Sequence, residues 1–125
     1  MDKEEILKEL EGYTGSENFT RDTFNKCVYT DGFKRFMELC ECYWLFSDSA
    51  ILMMSNENGK FTDEGFVAIT IKRTKDKAEV IFDDGNGNVL HTQKYDYTNF
   101  PMDEYEVWAC RNELDSYTFM LKSEY

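Results

Sequence analysis

The chain is poor in proline, in basic residues and in long apolar runs, and each shortage excludes something. Pro101 is its single proline, so no Pro-rich linker divides it. Its longest uninterrupted apolar run, residues 50–54, is five residues, against the roughly 20 that a bilayer-spanning helix needs. The first residues, Met1-Asp2-Lys3-Glu4-Glu5, are acidic and lack the basic and apolar regions of a signal peptide. A cytoplasmic protein is the expectation. Bases are scarce, 14 Lys and Arg against 25 Asp and Glu, for a net charge of −11. Such a field repels phosphates, which disfavours bare DNA, RNA or an anionic membrane as partner. A basic protein surface fits that charge; so does solubility alone.

What is present is aromatic and apolar. Hydrophobic residues make up 42% of the chain and aromatics 16%, too many for a disordered polymer. A length of 125 residues is enough to bury a real core in one domain spanning the whole chain. Cys27, Cys40, Cys42 and Cys110 would suggest two bridges in a secreted protein. Without an export signal they read as reduced thiols. Cys40 and Cys42 form C-x-C with no second close pair, so a four-ligand zinc site would need Cys27, Cys110 or His91 brought in from afar. Buried thiols acting as small hydrophobes are the simpler reading.

The chain divides into a helical first half and an extended second half. Ile6, Leu7 and Leu10 form one stripe of a short helix over residues 3–11, with Gly12 just past its end. Residues 13–18 form a polar turn region, and part of 19–29 is extended. Thr30 or Asp31 can cap the next helix, in which Phe33, Phe36, Met37 and Cys40 recur at i, i+3, i+4, i+7. Residues 43–55 are apolar on nearly all sides, which predicts a central buried helix. A polar loop covers 56–63. Beyond Glu64 the period becomes two. Val67, Ile69 and Ile71 oppose Ala68, Thr70 and Lys72; Tyr105, Val107 and Ala109 oppose Glu104, Glu106 and Trp108; Tyr117, Phe119 and Leu121 oppose Thr118, Met120 and Lys122. The fold expected is α+β, with N-terminal helices packed on an antiparallel meander of about five strands.

Asp83-Asp84-Gly85-Asn86-Gly87-Asn88 lies between two of these strands, and Asn-Gly in that setting marks a β-hairpin. A two-residue Asn86-Gly87 turn sets Glu79 opposite Lys94 and Ile81 opposite Thr92. It places His91, the only histidine, on the face of Val80 and Phe82, with Val89, Gln93 and Tyr95. His91 invites a general-base or ligand role, possible only with partners that no spacing supplies; a half-buried sheet histidine is the ordinary explanation. Asp84-x-Asn86-x-Asn88 echoes the start of a calcium loop, but Val89 and Tyr95 stand where the glycine and bidentate glutamate are required. Gly85-x-Gly87 joins two strands, so no helix N-terminus follows to hold a phosphate. No catalytic, cofactor-binding or metal site is expected.

Acidic residues concentrate in two regions. One is Asp2, Glu4, Glu5, Glu9 and Glu11; the other is Asp103, Glu104, Glu106, Glu113 and Asp115 around the last hairpin. Alternation sets Glu104 and Glu106 on one side of their strand, carboxylates about 7 Å apart, a spacing that resembles phosphates along a nucleic-acid strand. A nucleic-acid mimic, or a patch that meets a Lys/Arg groove, is the functional reading; a solvated face is the plain one. Trp108 shares that side. Exposed among acids, it would anchor an interface; covered, it would be core.

Tyr29-Thr30-Asp31-Gly32, Cys42-Tyr43-Trp44-Leu45, Asp83-Asp84-Gly85-Asn86-Gly87-Asn88-Val89 and Tyr97-Thr98-Asn99-Phe100-Pro101 occur in that order. They resemble an uncharacterised family of small proteins carried by bacteria, phages and other mobile elements, with the pattern Y-T-D-G, Y-W-L, D-D-G-N-G-N-V, Y-T-D-F-P. Asn99 departs from the aspartate of that pattern, and Ser47 separates Asp48 from its usual place after Y-W-L-L. The resemblance implies no activity. It implies a setting in which small acidic proteins often inhibit host nucleic-acid enzymes, anti-CRISPR proteins being the analogy. Three functions follow as expectations. The first is a non-enzymatic inhibitor that binds a basic surface of a nucleic-acid-handling protein, such as a CRISPR effector, through Asp103, Glu104, Glu106, Trp108, Glu113 and Asp115. The second is a small regulatory or self-associating domain. The third is an enzyme or metal protein centred on His91.

Overall fold

A computed structural model describes residues 2–15, 17–55, 61 and 64–125. Among these residues three α-helices fall in the first half of the chain, α1 (Lys3–Leu10), α2 (Asp31–Cys40) and α3 (Tyr43–Met54), with two short strands between the first and the second. Seven strands make one sheet: β1 (Phe19–Arg21), β2 (Val28–Thr30), β3 (Phe66–Thr74), β4 (Lys77–Asp83), β5 (Val89–Tyr95), β6 (Glu104–Arg111) and β7 (Tyr117–Leu121). Lys122–Glu124 forms a closing 3-10 turn. The polar loop expected at 56–63 lies, apart from Phe61, outside the described residues.

Side chains cap the free N-terminal amides of α1 and α2, whereas α3 starts without a side-chain cap. Asp2 caps α1 by accepting from the Glu5 amide at 2.9 Å. Thr30 caps α2 by accepting from the Phe33 amide at 3.2 Å, and Glu41 ends it in the left-handed conformation at φ 52°. The four apolar residues at helical spacing, Phe33, Phe36, Met37 and Cys40, are all buried. On α3 the expectation of burial all round is corrected. Leu45, Phe46, Ser49, Ala50 and Met53 are buried, whereas Ile51 is 65% exposed and Tyr43 is exposed too. Among the described residues, one helical layer on one sheet leaves nothing further to cover the outer side of α3.

The meander is corrected as well. The strand order is β1-β2-β7-β6-β3-β4-β5, so the sheet has seven strands and is mixed. β2 pairs with β7 in parallel, Tyr29 beside Phe119, while the other pairs are antiparallel. β3, β4 and β5 do form a meander. The chain then returns from the β5 edge to the far side of β3 before β6 begins. The returning segment carries Phe100 and Met102, both buried, and Arg73 holds it. The Arg73 amide donates to the Asp103 carbonyl at 2.8 Å, its Nη1 to the Phe100 carbonyl at 3.0 Å, and its Nη2 to the Asp103 carboxylate at 2.9 Å. At the turn between β3 and β4, the Asp76 carbonyl accepts from the Thr98 amide. Burying two large side chains in the link drives this detour, at roughly 1.5–3 kcal/mol for each.

One face of the sheet meets the helices. Val67, Ile69, Ile71, Val80, Phe82, Val107, Ala109, Tyr117, Phe119 and Leu121 point there, all buried. Aromatic contacts fill the layer between. Phe119 lies 5.5 Å from Phe33 and 5.0 Å from Phe46, and Phe36 stacks on Tyr105 at 5.0 Å. The opposite face, with Phe66, Thr70, Ile81, Glu106, Trp108, Cys110 and Met120, is half-exposed.

Candidate functional site

The half-exposed face gathers its aromatic side chains around Trp108. The β3–β6 register sets Trp108 opposite Ala68, and the β6–β7 register sets it beside Met120. Ala68 is small, so the space above it is open to larger neighbours. The Phe66 ring packs edge-on against the indole at 5.1 Å, and the Tyr125 ring does so at 5.3 Å. Trp108 Nε1 donates to the Glu106 carboxylate at 2.7 Å. Lys122 sits beside the pair, its Nζ 3.8 Å from Glu106 Oε2 and 5.9 Å from the centre of the indole.

The β4–β5 hairpin supplies the rest. Its body has the register expected from the turn, Glu79 opposite Lys94, Ile81 opposite Thr92, and Phe82 opposite His91. Its end does not. The register shifts between Phe82 and Asp83, so Asp83 pairs with Val89. The connection is a loop over 84–88 in place of the two-residue turn, closed by the Asp84 amide donating to the Asn88 carbonyl at 3.2 Å. Val89 is thereby left 61% exposed and off the apolar face. Acidic side chains build the loop. Asp83 Oδ1 accepts from the Gly85 amide at 2.7 Å. Asp84 accepts from the amides of Asn86 and Asn88 and from the Asn88 side chain, at 2.8, 3.2 and 2.8 Å. The Asn88 side chain, then these amides, hold the Asp84 carboxyl below its usual range. Gly85, at φ +86°, lets the loop fold onto Phe66, whose ring would stand 2.9 Å from a Cβ there.

Together these groups enclose a cleft of about 560 Å³. Phe66, Trp108 and Tyr125 form its aromatic side, Ala68 its floor, and Asp83, Asp84, Gly85 and Glu106 its polar rim. Among the described residues, neither Asp83 nor Asp84 has a cationic partner.

Of the residues expected from the sequence, the structure brings Glu106 and Trp108 together in this cleft. Trp108 is half-buried, with the Phe66 and Tyr125 rings packed nearly perpendicular to it on the half-exposed face. The other acids stand apart, three of them beside bases of the same chain. Asp103 pairs with Arg73 at 2.9 Å, Glu104 with Lys72 at 3.6 Å, and Asp115 with Arg111 at 2.9 Å. Glu113 lies at the far end of β6, on a cleft of about 850 Å³ with Phe19, Arg21, Val28, Arg111 and Leu114. Sequence reasoning missed Phe66, Tyr125, Asp83 and Asp84. One signal was legible: Phe66 is out of phase with the buried Val67, Ile69 and Ile71, so it falls on the Trp108 face.

The remaining candidates have local partners. His91 lies 5.9 Å from the Phe82 ring and 3.5 Å from the Gln93 side chain. Among the described residues, no group of three or more His, Cys, Asp or Glu is arranged to hold a metal ion. Burial pushes the Cys27 and Cys110 thiols up, and at Cys42 a hydrogen bond with Cys40 and burial do the same. Asp48 accepts from the Tyr95 hydroxyl at 2.7 Å. Burial and this carboxylate raise the Tyr95 hydroxyl far above its ordinary value. No described helix is long and apolar enough to cross a membrane.

No curated protein and no solved structure matches the chain. Residues 4–125 match the model of a family of unknown function, DUF6876, and the chain belongs to that family.

Proposed function

We propose that this is a non-enzymatic interaction protein that binds a basic surface on a nucleic-acid-handling partner. The setting we infer is that of small inhibitors carried by phages and other mobile elements, with a CRISPR effector as the kind of target. The observation that carries the reading is Trp108, half-exposed beside Glu106 on the uncovered sheet face. Trp is the side chain most often found at the energetic centre of an interface, and the net charge of −11 steers basic partners toward it. Lys72, Arg73 and Lys122 interrupt the row of carboxylates on and beside β6. The reading therefore rests on a Trp-centred acidic patch more than on a copy of phosphate spacing.

The test is affinity capture on the immobilised full chain from a bacterial lysate, at low and at high salt. A basic nucleic-acid-binding protein should be retained at low salt, released at high salt, and lost with Trp108→Ala. Retention that ignores salt would remove the electrostatic basis of the proposal.

A second reading is self-association at the other end of the sheet. There Phe19, the first residue of the edge strand β1, is 55% exposed and Leu114 52% exposed, and β1 is exposed along its length. Gel filtration with light scattering tests it. A dimer that Phe19→Asp converts to a monomer supports it, and a monomer at all concentrations ends it.

A further inference from the structure

The cleft at Trp108 has the chemistry of a receptor for one particular cation. Three aromatic rings line one side of it, and the face of an aromatic ring attracts cations through its quadrupole within about 6 Å. The chain already sets one cation against the indole from beside the cleft, the Lys122 ammonium, 5.9 Å from the indole centre and 3.8 Å from Glu106. Lys122 is not among the residues that line the cleft. The cleft is bounded by Asp83, Asp84, Glu106 and the rings of Phe66, Trp108 and Tyr125. Its two aspartates have no cationic partner among the described residues, and each already has oxygen lone pairs committed to loop amides that fix its direction. At about 560 Å³ the cleft falls within the roughly 300–1,000 Å³ of ligand clefts, larger than an interstice and large enough for a side chain from outside.

Resting on the reading of a basic protein partner, we infer that this cleft receives an arginine side chain of that partner, stacked against Trp108 and hydrogen-bonded to the Asp83/Asp84 rim. A guanidinium fits better than an ammonium for two reasons. It is planar and weakly hydrated, so it lies against a ring at lower desolvation cost. It also presents a fork of N–H donors that two fixed carboxylates can accept together, where an ammonium acts as a point charge. An uncharged isostere would keep the shape and lose the attraction to the rings and the carboxylates alike.

The experiment uses the full chain and three defined peptides of equal length, rich in arginine, in lysine and in citrulline. Binding is followed by NMR on the two indole N–H signals, Trp44 serving as the internal control. The arginine peptide should shift the Trp108 indole signal saturably and bind at least several-fold tighter than the lysine peptide, while the citrulline peptide leaves it in place. Tyr125→Ala and Glu106→Gln alter exposed or half-exposed groups of the cleft, and each should weaken the arginine peptide several-fold. Equal binding of arginine and lysine peptides, with diffuse shifts indifferent to both variants, overturns the guanidinium site and leaves the basic-surface reading standing. No binding of either cationic peptide at low salt overturns both.

Discussion

The Glu124 carboxylate occupies the space that a side chain at Gly32 would need. Its Oε2 accepts from the Gly32 amide at 3.1 Å, and its Oε1 accepts from the Thr30 hydroxyl at 2.6 Å and the Leu121 amide at 3.0 Å. A Cβ on Gly32 would collide with that carboxylate. An acid at the first turn of α2 also meets the positive end of the helix dipole. This one contact ties the 3-10 turn after β7 to the start of α2, residues 92 positions apart. It gives a physical meaning to Thr30-Asp31-Gly32: the threonine caps, and the glycine makes room.

Gly32→Ala should therefore destabilise the fold by about 1–3 kcal/mol, the usual cost of overpacking. Glu124→Ala should cost at least as much, because it strands the Gly32 and Leu121 amides and the Thr30 hydroxyl, each buried donor left unpaired costing about 1–3 kcal/mol. The double variant should lose clearly less than the sum, since the collision disappears with the carboxylate. Urea denaturation of all four proteins measures this. Additive losses would show that the Gly32 requirement has another source.

Arg73 should hold the return link of the sheet in a pH-dependent way. Its guanidinium keeps the Asp103 carboxyl below the usual carboxylate range, first by a hydrogen bond and then by its charge. A depressed folded-state value means that the unfolded chain binds the proton more readily in acid. The stabilisation is thus complete above the unfolded value, near about 3.9, and fades as pH falls through the lower folded value. Arg73→Met should lower stability at neutral pH, with part of that deficit vanishing in acid. The Asp103 carboxyl should titrate at higher pH in the variant, which carboxyl-detected NMR reads directly. An unmoved Asp103 titration would mean that Arg73 acts only through the Phe100 carbonyl.

The four thiols should react in a fixed order. Burial raises the values of Cys27 and Cys110, and Cys42 is raised by Cys40 and burial. Only the thiolate attacks an alkylating agent. Cys110 alone is part-exposed, on the open sheet face. Iodoacetamide at mildly alkaline pH, followed by mass spectrometry, should label Cys110 first and the other three only on unfolding. Early labelling of Cys27 or Cys42 would contradict the packing around α2 and β2.

Local patterns carried much of the fold, and contacts between distant segments carried what they could not reach. Phe33, Phe36, Met37 and Cys40 announce α2 by spacing alone, and the Asp/Asn/Gly stretch between two apolar runs announces the hairpin, whose expected pairing of Glu79 with Lys94 is reached through a longer loop and a register shift in place of the two-residue turn. β1 and β2 are three residues each, too short for a period to emerge, and the parallel pairing of β2 with β7 joins residues about 90 apart. Nothing local distinguishes a link that turns back to the neighbouring strand from one that carries Phe100 and Met102 beneath the sheet. The site divides in the same way. Alternation along β6 puts Glu106 and Trp108 on one face. The pairing of Glu104 with Lys72 depends on β3 lying beside β6. Asp83 reaches the Trp108 face because β4 pairs it with Ala68, the residue opposite Trp108, and Asp84 follows it in the loop that lies against Phe66.

Gly85 and Gly87 should differ in a way that tests this folded-over loop. Both have left-handed backbones, at φ +86° and +89°, so alanine at either position incurs about 1–2 kcal/mol of strain. A Cβ at Gly87 meets open space, whereas one at Gly85 meets the Phe66 ring at 2.9 Å. Gly87→Ala should show the strain alone. Gly85→Ala should lose more stability and also displace the ring that packs on Trp108, so the Trp108 indole signal should shift in that variant and stay in place in the other. Thermal melts and the indole N–H spectrum measure both effects. Equal losses with an unmoved Trp108 signal would place the loop away from Phe66 in solution, and with it the acidic rim of the cleft.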